Sequence, residues 1–308
     1  MINRNLIRIR IVQIVYSWYQ NKDKDLRSLE KELLYGLQRS YDLYYYLLLL
    51  IIEITKAYEA KIETRRNKLL PTKEDLNPNV KLLNNAFFKQ LEQNRQLIKY
   101  LNDYPMSWDD HDSFIKKLLE DILDSSIYQN YLADSNSSYD ADKEFWRQIF
   151  KEFIYNNETL DEILEDESIY WNDDIETVQS FTLKTIRQFS ESEGEDHKLL
   201  PMFRTHEDKT FALKLLHNTI LDETKYRELI EKHTDKWDFE RIAFMDLIIM
   251  QVAIAEIFTF DDIPTNVSMN EYIELSKAYS TPKSGLFING VLDAIVSSLK
   301  RDNIIFKN

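Results

Sequence analysis

Phe239-Glu-Arg-Ile-Ala-Phe-Met-Asp-Leu-Ile-Ile-Met-Gln-Val-Ala-Ile-Ala-Glu-Ile257 is the stretch that decides the fold. Polar residues recur at Arg241, Asp246, Gln251 and Glu256, and the rest is apolar almost throughout. A helix that is apolar nearly all round has to be buried, so residues 239–258 are expected to form the central helix of a bundle. The surrounding sequence supplies helices to bury it. Periodicity predicts them over residues 206–221, 224–233, 270–279 and 282–300. Ser268-Met-Asn-Glu271 reads as a capping box at the start of the third of these. Thr281-Pro282 reads as an N-cap followed by proline at the first helical position of the last. That last helix would turn Ile288, Val291, Leu292, Ile295 and Leu299 to one side. At the other end of the chain, residues 6–20 place Ile7, Ile11, Ile14, Val15 and Trp18 on one helical face, with Asn3 as N-cap.

Composition agrees with an all-α fold. The 308 residues include only four glycines and six prolines. Gly36, Gly194, Gly285 and Gly290 are too scattered for a GxGxxG loop, and Gly285–Gly290 is followed by Val291 and Leu292 rather than by the Lys-Ser/Thr of a phosphate-binding loop. There is no cysteine, which excludes disulfides, thiolate metal sites and cysteine nucleophiles. The longest apolar runs, residues 43–52 and 247–255, fall short of the ~20 residues of a membrane-spanning helix. No secretory leader is evident, and the expectation is a cytoplasmic protein without membrane contact.

The net charge of −14 is unevenly spread. Residues 1–25 carry five basic and two acidic side chains, residues 26–204 carry 22 and 34, and residues 205–308 carry 12 and 17. This suggests a basic N-terminal helix (1–25) and a helical bundle (205–308), separated by an acidic helical region (26–204). In the middle region Pro71, Pro78, Pro105 and the polar stretch 134–138 mark breaks. Residues 156–197 hold thirteen carboxylates against Lys184 and Arg187, a poor surface for phosphate.

No catalytic signature emerges. The five histidines form no metal-binding spacing, and the Gly-x-Ser-x-Gly elbow is absent. No cofactor and no metal are expected. Thr281-Pro282-Lys283-Ser284-Gly285 is more suggestive, because a helix start beside a lysine and two hydroxyls suits a phosphate; on local evidence an ordinary cap with an exposed lysine is the simpler reading. Arg4 and Arg8, four residues apart, share a helix side that charge patterning alone would leave as a solvated face.

The central stretch, with Asp262-Ile-Pro-Thr-Asn-Val-Ser-Met-Asn-Glu-Tyr-Ile-Glu-Leu-Ser-Lys277 and Phe287-Ile-Asn-Gly-Val-Leu-Asp293 after it and Arg8-Ile-Arg-Ile-Val-Gln-Ile-Val-Tyr-Ser-Trp-Tyr19 before it, resembles the NusB family of bacterial antitermination factors. The likeness spans residues 3–20 and 205–300. The long middle region resembles the extra region of Bacteroidetes-type members, with no role implied. The resemblance implies an all-helical, non-enzymatic protein. It would bind the single-stranded boxA element of ribosomal RNA leaders together with NusE, a small-subunit ribosomal protein, and join the RNA polymerase elongation complex. It leaves room for a homodimer. Carried residue by residue, it implies RNA contacts at Arg4, Arg8, Arg10, Tyr16, Lys283, Ser284 and Phe287, and a NusE contact at Asp246. Asn270, Glu271, Asn289 and Gly290 carry the family signature and read as caps and close packing. Two departures stand out. Asn5 and Leu6 replace part of the family's arginine run, which weakens RNA binding. Lys283 stands where relatives commonly have an acid, which strengthens it.

Two other readings compete. Some ribosomal RNA cytosine methyltransferases carry a NusB-like domain, but they need catalytic cysteines and a Gly-rich cofactor domain. A helical protein-interaction scaffold without RNA binding, using the acidic region as its main surface, is the principal alternative.

Overall fold

The computed structural model describes residues 1–22, 24–135, 138–234 and 242–307. In chain order the helices are α1 (Arg4–Gln20), α2 (Leu26–Arg66), α3 (Lys73–Leu76), α4 (Ala86–Glu92), α5 (Arg95–Asp103), α6 (Asp112–Asp124), α7 (Ser126–Ala133), α8 (Tyr139–Ile149), α9 (Glu158–Glu167) and α10 (Ile175–Gln188). They continue as α11 (His206–Leu221), α12 (Glu223–Lys232), α13 (Phe244–Thr259), α14 (Thr265–Tyr279) and α15 (Ser284–Arg301). Among the described residues the only β pairing is an isolated bridge between Ile2 and Phe203, and no helix is long and apolar enough to cross a membrane. The fold is all-α.

The chain divides into two compact units, one of Ile2–Leu37 with Phe203–Asn308 and one of Gln38–Met202 with Met1. The first boundary therefore falls at 37/38 rather than 25/26, because the opening turns of α2 belong with α1 and the C-terminal helices.

In the first of these units α13 is the hub, packing against α1, α11, α12, α14 and α15. Every residue from Ile248 to Ile257 is buried, as its all-round apolar sequence requires. The expected start of this helix at residue 239 lies outside the described residues. Asn3 caps α1 by accepting a hydrogen bond from the Leu6 amide at 2.9 Å. Two starts differ from expectation. α14 begins at Thr265, so Ser268 and Glu271 sit inside the helix and reach other helices instead of forming a capping box. α15 begins at Ser284, and Pro282 and Lys283 form the turn before it.

The second unit is built round the later part of α2. Residues 43–52 are all buried. The tyrosines there keep their hydroxyls paired: Tyr44 with Thr185 at 2.8 Å, and Tyr46 with the Ser107 carbonyl at 3.1 Å. Trp146, Phe87, Phe150 and Phe189 complete this core. The carboxylates of residues 156–197 are mostly exposed; Asp174 is the buried exception.

Candidate nucleic-acid interface

The start of α13 links two helices that are far apart in sequence. On one side its first residue, Phe244, meets α1: the ring lies 5.8 Å from Tyr16 and 5.4 Å from Tyr19. On the other side, Asp246 Oδ2 accepts a hydrogen bond from Ser284 Oγ at 3.0 Å, at the first residue of α15. The first turn of α13 thus bears on the C-terminal part of α1 through Phe244 and on the start of α15 through Asp246. Tyr16 is 40% exposed and Phe244 38%. Lys283, in the turn before α15, is exposed, and Phe287 is half-buried.

The sequence-derived cations are placed less uniformly than their helix spacing suggested. Arg4 is partly exposed, 3.9 Å from Asp208 and lying over the Phe211 ring at 4.9 Å. Arg8 is a correction: it is buried, not solvated. Its Nε and Nη2 each donate to Glu256 at 2.8 Å, and Nη1 donates to Glu271 at 3.0 Å. Glu256 is fully buried and also accepts from Ser268 at 2.7 Å and Tyr272 at 2.8 Å. Burial disfavours the Arg8 cation, but the hydrogen bonds and charge of Glu256, with help from Tyr272 and Glu271, outweigh it and hold its pKa above the ordinary guanidinium value. Arg10 is also buried and donates to Gln13 at 2.9 Å. Neither arginine offers its charge to a surface ligand.

Two further expectations are corrected in the same way. Ser284 is buried, and its hydroxyl is engaged by Asp246, Thr281 and Ser280. It ties α15 to α13 rather than waiting for a phosphate. Asp246 is buried too, so it is no surface carboxylate for a basic protein; its Oδ1 has no hydrogen-bond partner among the described residues. Gly290, read as a close-packing residue, is exposed, with open space where a Cβ would stand.

The structure also adds residues that the sequence did not single out. Lys22 Nζ lies 5.0 Å from the rings of both Trp18 and Tyr19, and Arg227 lies over Tyr19 at 5.6 Å. Glu223 is 3.2 Å from Lys22 and 3.8 Å from Arg227. Phe244 escaped notice because an apolar residue in an apolar helix reads as core. Only its place at the helix start leaves it half in water. Among the described residues no three His, Asp or Glu side chains converge to hold a metal ion.

The chain is all-helical, and the start of α13 and its neighbours combine exposed aromatic rings with a few cations. Comparison with known proteins gives it a family. Residues 174–297 match the NusB family model. The transcription antitermination protein NusB of Salinibacter ruber is 36% identical over 123 residues, which is 38% of this chain and 77% of that protein. The NusB protein of Chloroherpeton thalassium is 40% identical over 100 residues, 32% of this chain and 47% of that protein. That of Natranaerobius thermophilus is 47% identical over 77 residues, 25% of this chain and 55% of that protein. No solved structure matches. The chain belongs to the NusB family. The family match begins at Asp174, within the acidic region expected to be an insertion, and leaves α1 outside it.

Proposed function

We propose that this protein is a transcription antitermination factor that binds boxA-type single-stranded RNA of ribosomal leaders together with NusE and joins the RNA polymerase elongation complex. The observation that carries the reading is the first turn of α13, which holds exposed Tyr16 of α1 against Phe244 and the 281–287 turn against Asp246. Single-stranded RNA needs cations for its phosphates and aromatic faces for its bases. Lys283 and Arg4 supply the first, Tyr16 and Phe287 the second. Ser284 fixes the start of α15 against the first turn of α13, and Arg8 fixes α1 against Glu256 farther along that helix.

So few exposed cations on a chain of net charge −14 make for weak RNA binding by the protein alone. A basic partner such as NusE would raise it. Gel-shift titration of boxA-type RNA, with and without NusE and at several salt concentrations, tests this. Tighter binding with NusE is expected; equal affinity in both arms contradicts the cooperative part.

The scaffold reading without RNA binding draws on the withdrawal of Arg8 and Arg10 into the interior. It takes over if neither arm of the titration yields a complex while the protein still binds NusE.

A further inference from the structure

We propose that Phe244 is a base-stacking residue, forming with Tyr16 a two-ring platform for unpaired bases of single-stranded RNA. The inference rests on the RNA-binding reading above and adds to it a residue and a mode of contact.

Phe244 opens a helix whose residues 248–257 are all buried, yet its own ring is 38% exposed. Its two aromatic neighbours on α1 differ in what they leave open. Tyr19 is already occupied: its hydroxyl donates to Gln251, and Lys22 and Arg227 lie over its ring at 5.0 and 5.6 Å. Tyr16 is 40% exposed, and its ring is tilted 56° to that of Phe244 at a centroid separation of 5.8 Å. Tyr19 meets Phe244 edge to face at 5.4 Å, and the exposed part of Phe244 and of Tyr16 is the ring surface left for a planar partner.

The charge around the pair selects the partner. Lys22 and Arg227 stand over Tyr19 and pair with Glu223 at 3.2 and 3.8 Å. Lys283 is exposed on the side where Ser284 bonds Asp246, two residues along the helix from Phe244. Open aromatic faces flanked by cations match a strand that offers bases and phosphates in alternation. An apolar protein segment would gain nothing from the cations.

The test uses the full chain and a short unstructured boxA-type RNA. Phe244→Leu keeps apolar bulk but removes the π-face. It should weaken RNA binding about tenfold, since a base–aromatic stack is worth roughly 1–3 kcal/mol and ~1.4 kcal/mol is tenfold. The dependence on salt should not change, because no phosphate contact is lost. Phe244→Trp should bind within about twofold of the original. An abasic nucleotide stepped along the RNA should cost the unaltered chain about tenfold at one position, and that penalty should vanish in Phe244→Leu, as coupled groups require. Because Phe244→Leu could disturb the start of α13, 2-aminopurine at that position provides a readout on the unaltered chain and should be quenched on binding. The proposal falls if Phe244→Leu binds RNA as the original does, if it loses only a protein partner, or if no 2-aminopurine position is quenched. If the unaltered chain binds no RNA in either arm of the gel-shift titration, the functional reading falls with it.

Discussion

Arg8 carries a guanidinium into the bundle and meets two carboxylates there, and this decides what its substitution will do. Glu256 would be left as a buried charge without its bidentate partner, a loss that costs about 3–5 kcal/mol in comparable cases. Arg8→Met is therefore expected to destabilise the protein by that amount, read from chemical denaturation; a change below about 1 kcal/mol would show that the pair is unimportant. Lys283 behaves differently because it is exposed. Lys283→Glu should leave stability within about 0.5 kcal/mol. It should weaken RNA binding and lower the salt slope by roughly 0.7, the single-strand value for one phosphate contact, as measured by titration at several salt concentrations. The sequence distinguished these residues poorly. Both are cations that the family resemblance assigns to RNA. Only the fold reveals that the side of α1 bearing Arg8 faces Glu256, 248 residues away. The exposure of Phe244 was hidden for the opposite reason, since its chemical type argued for the interior.

At the scale of elements, α13 shows how far periodicity reaches. Its buried polar residues Asp246, Gln251 and Glu256 recur every five positions, which turns each about 140° from the last. Each accordingly reaches a different set of neighbours. Asp246 bonds Ser284 on α15; Gln251 bonds Tyr19 on α1 and the Thr219 carbonyl on α11; Glu256 bonds Arg8 on α1 and Ser268 and Tyr272 on α14. The apolar run made the central helix legible, but these pairings depend on which helix lies at which azimuth, which no local pattern encodes. The misread helix starts have a similar cause. Ser268 and Glu271 have the spacing of a capping box, yet the buried carboxylate of Glu256 and the guanidinium of Arg8 are stronger partners than a backbone amide. Gly290 illustrates the converse case, a signature residue without a packing reason. Gly290→Ala should stabilise α15 by about 0.5–1 kcal/mol, because the helix interior has room for the methyl group and the unfolded chain loses freedom. A rise in melting temperature checks this, and a fall would point to a contact made by the glycine backbone.

At the scale of the whole molecule, the charge is partitioned. The thirteen carboxylates of residues 156–197 face two cations of their own segment, and most are exposed. Such a surface repels phosphate at ordinary ionic strength. The first turn of α13 and its neighbours offer Lys283 and exposed aromatic rings instead. The all-α class could be read from composition and the NusB likeness from four stretches of sequence. The extent of each compact unit could not, because it depends on where α2 passes from one core to the other. On the proposed function, RNA is expected at Tyr16, Phe244 and residues 281–287 and at no other part of the chain. Photoreactive boxA-type RNA, bound to the full chain with NusE, crosslinked and mapped to peptides, tests it directly. The account predicts crosslinks in peptides that contain Tyr16, Phe244 and residues 281–287, with none in 156–197. Crosslinks concentrated in 156–197, or spread evenly along the chain, would contradict it.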